Sequence, residues 1–233
     1  GIKVEVVFGG SGYMLSQMRL AKQGDLYFPG SSDYMEIAKR EGDVLADSEK
    51  VIVYLVPAIN VQRGNPHAIQ TLQDLTRPGL RVAIANPEGV CVGAYAVEII
   101  ERAFTPEQKA AFKANLVNYT GSCAKTATAI SLKQADAVVG WRVFEHWDPE
   151  RIETVVLDTA VIPRIGYIPI AISKFSEQPN EAQGFIDFLA SPEGQAIFAK
   201  YKYFAAPKDA FDWMGENKPV GGEYAVPADW LFE

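Results

Sequence analysis

The apolar positions along the chain switch between two periods, and the switches divide it into repeating units. Residues 2–8, Ile-Lys-Val-Glu-Val-Val-Phe, alternate and are rich in β-branched side chains, which predicts a strand. Gly9-Gly10-Ser11-Gly12 follows, then Tyr13 to Leu20 at helical spacing. A helix start offers unbonded backbone N–H groups and the positive end of the helix dipole, so such a turn suits an anion. Simple N-capping by Ser11 is the plainer reading of the same residues. Asp25 to Gly30 predicts a short strand, and Ser31-Ser32-Asp33 caps a helix to about Arg40. Val51 to Ile59 is a continuous apolar run, apt for a buried or hinge strand, which Gly64-Asn65-Pro66 ends.

A second unit opens with a strand over 81–85. It runs through Asn86-Pro87-Glu88-Gly89-Val90-Cys91-Val92-Gly93 into a helix over about 94–103. An amphipathic helix over 106–116 leads to a third unit: a strand at 117–119, Thr120-Gly121-Ser122-Cys123, and a helix over 124–134. Strands are predicted at 137–141 and 154–157, and the apolar run 167–172 mirrors 51–59. Helices over 180–189 and 192–200 carry a stripe of Phe185, Phe188, Leu189, Ile197 and Phe198, expected in the core. From Ala205 onward the chain is rich in Pro, Gly and aromatics and is expected to wrap the surface. Strands alternating with helices predict an α/β protein with mostly parallel sheets. In such sheets ligands bind beyond the carboxyl ends of the strands, where all three glycine-bearing loops point.

Composition and charge narrow the function. The 233 residues are 48% hydrophobic, enough for one large domain or two small ones. A net charge of −7, with 22 basic against 29 acidic residues and no basic tract, argues against a nucleic-acid partner. It also means that an anion site must work through local hydrogen bonds. No apolar run approaches the roughly 20 residues that span a bilayer. A first residue of Gly rather than Met suggests a processed or trimmed chain, so the lack of a signal peptide says little about export. The two cysteines, Cys91 and Cys123, and the two histidines, His67 and His146, match no zinc spacing, and no metal or cofactor is expected. A disulfide or a buried thiol pair are both open for the cysteines.

The order of these motifs resembles the periplasmic molybdate-binding proteins of ABC importers, class II solute-binding proteins. The resemblance rests on Val6 to Gly12, Gly24-Asp25 and Ser32-Asp33-Tyr34-Met35. It continues through Gly64-Asn65-Pro66, 71–75, Asn86-Pro87-Glu88, Gly93-Ala94-Tyr95-Ala96, Ala135-Asp136-Ala137 and Pro192-Glu193-Gly194-Gln195, covering about residues 2–205. It implies a two-lobed fold, each lobe a mostly parallel sheet flanked by helices, joined by two hinge strands near 51–60 and 166–174. Residues 1–58 and 167–233 would form one lobe and 59–166 the other. The family's first strand and helix, with a further ligand serine, would precede Gly1.

The resemblance further implies a small oxyanion, molybdate or tungstate-like, held between the lobes by uncharged donors. By position these are Gly10, Ser11 and Gly12 of the first turn, Cys91 and Val92, Cys123, and Trp141 where the family has a tyrosine. Trp141 has only an indole N–H to give. Cys91 stands where the family often has proline. The two cysteines on two ligand loops would form a disulfide across the cleft floor, remain structural thiols, or meet a soft ligand. The implied protein is a monomeric, non-enzymatic binder, periplasmic or lipid-anchored outside the cell, whose partners are the anion and a membrane permease. Three rivals stand beside it: a binder of a different small anion or of a thiol-reactive ligand, a thiol redox enzyme, and the effector domain of a transcription regulator. The redox enzyme lacks a C-x-x-C motif, and the regulator lacks a visible helix-turn-helix.

Overall fold

The computed structural model describes residues 3–231, which two sheets organise. The smaller sheet has the order β1 (Leu26–Tyr27), β8 (Gly166–Ile172), β2 (Lys50–Leu55), all antiparallel. The larger has the order β5 (Leu116–Thr120), β4 (Val82–Ala85), β6 (Ala137–Trp141), β3 (Pro57–Gln62), β7 (Ile152–Val155). Here β4 lies parallel to β5 and β6, whereas β3 runs antiparallel to β6 and β7. The small sheet is therefore antiparallel and the large one mixed, where mostly parallel sheets were expected. The cause is the hinge run: β2 passes into β3 through the single residue Val56, so β3 enters the large sheet without a helical crossover. The chain returns to the small sheet at Ile165–Gly166.

Helices α1 (Ser11–Ala21) and α2 (Ser32–Arg40) cover one face of the small sheet, where Leu15, Met18, Tyr27, Met35, Ala38 and Ala171 pack. On the other face, Ile52, Val53, Ile170 and Ile172 meet Ile186 and Leu189 of α7 (Pro179–Ala190). In the large sheet β4 and β6 are buried along their whole length, as strands covered on both faces must be. Val82, Ile84 and Val139 pack against Val97 and Ile100 of α3 (Cys91–Ala103) and Phe112 of α4 (Pro106–Ala114). Ala83, Ala85 and Val138 face Tyr95, Ile130 of α5 (Cys123–Ser131) and Phe144 of α6 (Phe144–Trp147). No described helix is long and apolar enough to cross a membrane.

Three expectations are corrected. The alternating segment at the start is not a strand: residues 3–8 pair with no described strand, and Val6, Val7 and Phe8 are exposed. Alternation specifies a strand only where an edge is present to accept it; residue 2 lies outside the described residues. The stripe on α7 and α8 (Pro192–Lys200) is only partly core, since Leu189 is buried but Phe188 and Ile197 are exposed. The tail is not only a wrap. It forms α9 (Pro207–Met214), with Pro207 in its first turn and Gly215 closing it in the left-handed region at φ 78°. Ala210 and Trp230 join the core of the large sheet, and Trp230 Nε1 donates to Glu101 Oε1 at 2.8 Å.

One buried ion network ties the two halves. Arg164, just before β8, reaches Asp33 of α2 (Nη2 to Oδ1, 2.7 Å) and Glu98 of α3 (Nε to Oε2, 2.7 Å). Its Nη1 also donates to Tyr95 Oη at 3.0 Å and to the Gly222 carbonyl at 2.9 Å. Asp33, Glu98 and Arg164 are all below a tenth exposed. Removing one partner of such a pair strands a buried charge, so Arg164→Met should cost about 3–5 kcal/mol in urea unfolding. A loss below about 1 kcal/mol would show that the network does not hold the halves together.

Candidate functional site

Four helix starts meet at the seam between the two sheets. β1 delivers Gly30 and Ser31 to the start of α2, and the loop after β4 delivers Cys91 and Val92 to the start of α3. The loop after β5 brings Cys123 to the start of α5, and Gly10-Ser11 opens α1. A Cβ placed on Gly30 would stand 2.9 Å from Cys91 Sγ, 3.8 Å from Ser11 Oγ and 3.9 Å from Cys123 Sγ. Three of the residues expected from sequence therefore surround one glycine. The N-caps of α1, α2 and α3 (Gly10, Ser31, Val90) make no side-chain capping bond, so first-turn N–H groups are left without that partner. Helix α5 is capped by Ser122, whose hydroxyl accepts from Lys125 N at 3.1 Å.

The other expected residues take distinct places. Trp141, at the end of β6, is 1% exposed, and its ring lies 4.7 Å from that of Tyr95 in an edge-on contact. Its indole Nε1 has no oxygen or nitrogen partner, and the group it faces is the Cys123 sulfur. The Val92 N–H is directed at that same sulfur. Gly12 does not present a free amide, because its N–H donates to the Gly89 carbonyl at 2.9 Å across the seam. Gly10 sits under that loop too: an added Cβ would meet Gly89 O at 2.6 Å and Gly121 O at 2.9 Å. Asn86 Nδ2 adds a bridge to Tyr13 Oη at 2.8 Å.

In this structure Cys91 and Cys123 are free thiols. Both sulfurs stand beside Gly30. The hydrogen bond from Cys123, helped by Ser11 and Ser31, holds the Cys91 thiol below its ordinary pKa, although burial acts the other way. Giving that bond, together with burial, pushes the Cys123 thiol up.

Sequence reasoning missed Gly30 and Ser31, which read as a strand end and a cap. The signal was available, since Gly30-Ser31 repeats the glycine–serine turn of Gly10-Ser11 ahead of a helix. Ser31 Oγ donates to Asp33 Oδ2 at 2.9 Å, and Gly30 N donates to Ser11 Oγ at 3.1 Å. Tyr27 Oη fixes the same turn by donating to the Ser11 carbonyl at 2.8 Å. His67 lies elsewhere: its Nε2 is 3.3 Å from Asp136 Oδ1, beside Arg81, at the strand-start end of the large sheet. Among the described residues no group of three or more His, Cys, Asp or Glu side chains could hold a metal ion.

The arrangement gathers hydroxyls, thiols and helix-start backbone N–H groups at one seam, set where two α/β halves join. That defines a solute-binding protein of the two-domain periplasmic kind. The chain belongs to the bacterial extracellular solute-binding proteins, a family whose profile matches residues 1–203. It is similar to a binding protein of Haemophilus influenzae, 26% identical over 213 residues that cover 88% of this chain and 81% of the relative. It is also similar to a molybdate-binding protein of Mycobacterium tuberculosis, 25% identical over 197 residues that cover 84% of this chain and 72% of the relative. A solved sulfate-binding protein from the same organism shares the fold at a TM-score of 0.73 and 16% identity, covering 94% of this chain and 86% of that one.

Gly30 offers a direct test of the pocket. An Ala methyl there would press on Cys91 Sγ, so Gly30→Ala should destabilise by about 1–3 kcal/mol and block whatever the pocket binds. Full stability in urea together with unchanged ligand affinity in the substituted protein would place the binding site elsewhere.

Proposed function

We propose that the chain is the capturing component of an ABC importer and that it holds a small tetrahedral oxyanion, molybdate or tungstate-like, at the seam between its sheets. The observation that carries this reading is the convergence of four helix starts, three without side-chain caps, on Ser11, Cys91, Cys123 and Gly30. Helix starts aimed together favour negative charge. Neutral donors in a dry cleft can satisfy a dianion without a counter-charge, and they leave it free to depart without breaking a buried ion pair. Trp141 supports the reading, since a buried indole N–H with no oxygen or nitrogen partner is a donor in want of an acceptor.

In this account the ligand-contacting residues are Ser11, Val92, Cys91, Cys123 and Trp141, with Gly10 and Gly12 closing the seam over them. The two lobes follow the two sheets, with crossings at Val56 and at Ile165–Gly166 that act as hinges. The lobes part to admit the anion and close on it, and a membrane permease reads the closed form outside the cytoplasm. The chain acts by binding and release, without turnover.

Calorimetry with molybdate, tungstate, sulfate and phosphate tests the ligand class. Binding of molybdate or tungstate ahead of the others is expected, and failure of all four removes the oxyanion reading. Ser11→Ala deletes one hydrogen bond to a charged ligand, worth about 1.5–3 kcal/mol or about 10- to 150-fold in Kd. An unchanged Kd would take Ser11 out of the site.

A further inference from the structure

A tetrahedral dianion does not need sulfur, yet two thiols stand beside the same glycine at this seam. We propose that Cys91 and Cys123 form a dithiol site for trivalent, thiophilic oxyacids of the arsenite class, in the same pocket as the proposed anion site. The inference rests on reading the seam as a solute-binding cleft.

The geometry sets out the parts. Cys91 is fully buried, and both sulfurs, with the Ser11 hydroxyl, lie within 4 Å of where a Gly30 side chain would begin. The thiols come from the starts of two different helices, α3 and α5, both anchored on the large sheet, so their separation is fixed by the fold and not by loop motion. Both thiols are free. The Trp141 indole N–H, buried and without an oxygen or nitrogen partner, faces the Cys123 sulfur. Ser31 adds a second hydroxyl at Cys91.

Arsenite at neutral pH is the uncharged acid As(OH)3, so it approaches a chain of net charge −7 at little electrostatic cost. Two condensations follow. In each, a thiol sulfur forms a bond to arsenic, one As–OH bond breaks, and the thiol proton leaves with the hydroxide as water. No oxidant or reductant takes part, and arsenic stays trivalent. Cys91, acidified by its hydrogen-bond partners, attacks first and its own proton leaves with the first hydroxide; Cys123, which holds its proton, attacks second and gives that proton to the second hydroxide. One As–OH remains. Ser11, Ser31 and Trp141 are placed to hydrogen-bond it. Soft thiolates favour such a centre as they favour soft metals, whereas hydroxyl donors alone would not hold it.

The test is calorimetry of the reduced protein with sodium arsenite and, separately, with sodium molybdate, on wild type, Cys91→Ser and Cys123→Ser. Arsenite is expected to bind the wild type, to drop the thiol count of the unfolded protein from two to none, and to weaken about 100-fold or more in either serine variant. Excess 2,3-dimercaptopropanol should reverse the protection where excess monothiol does not, a readout on the wild type that needs no variant to fold. Absence of arsenite binding by the reduced protein, a thiol count that stays at two, or equal reversal by monothiol overturns the proposal. Molybdate separates the two readings. Molybdate binding without arsenite binding removes the dithiol site alone, and arsenite binding with no oxyanion binding removes only the tetrahedral-anion reading.

Discussion

The Arg164 ion network is the constraint on which the rest depends. Asp33 is the second residue of α2 and Glu98 lies two turns into α3, so one guanidinium sets two of the four helix starts at the pocket. Burying two carboxylates on one arginine is costly unless every remaining lone pair is met. Here the demands are met by protein groups. Tyr224 N donates to Asp33 at 3.0 Å, Ser31 donates to its other oxygen, and Arg102 approaches Glu98 from the surface at 2.9 Å. The returning tail supplies part of this closure through Gly222 and Tyr224, which explains why a segment so far along the chain is ordered against α2. An arginine held this way is not available to a ligand. The pocket is left to neutral donors, in a chain whose overall charge of −7 would repel an anion at a distance.

The seam is also where the two halves touch directly. Gly12 and Gly89 share a backbone hydrogen bond, Gly10 lies beneath two carbonyls of the opposite loops, and Asn86 reaches Tyr13. Two of these contacts are between glycine backbones and loop carbonyls, and the third is a single side-chain hydrogen bond. The lasting connection between the sheets runs through the backbone at Val56 and Ile165 and through Arg164. The thiol pair and Trp141 lie on the seam side of that connection.

Much of this was legible in the sequence, for physical reasons that differ by element. β4, β6 and the hinge run are apolar because both faces are covered, and a continuous apolar run has few other uses. Ser11, Cys91 and Cys123 were found because glycine-bearing turns before helices are rare enough to notice in threes. The fourth start, Gly30-Ser31, was hidden by its own adequacy as a cap. Arg164 and Asp33, 131 residues apart, form a pair that no local pattern encodes. Residues 3–8 show the opposite failure, a clear local pattern with no partner edge among the described residues. α9 was obscured by the Pro and Gly at its two ends, which punctuate a helix as readily as they break one.

The central claim is that an anion binds at the meeting of four helix starts, held by neutral donors. Anomalous diffraction from a crystal grown with molybdate or tungstate locates the ion without assumptions about its contacts. The account predicts a single strong peak beside Gly30, within hydrogen-bonding reach of Ser11 Oγ, the Val92 N–H and Trp141 Nε1. A peak at a surface arginine or lysine, with the seam empty, would contradict it.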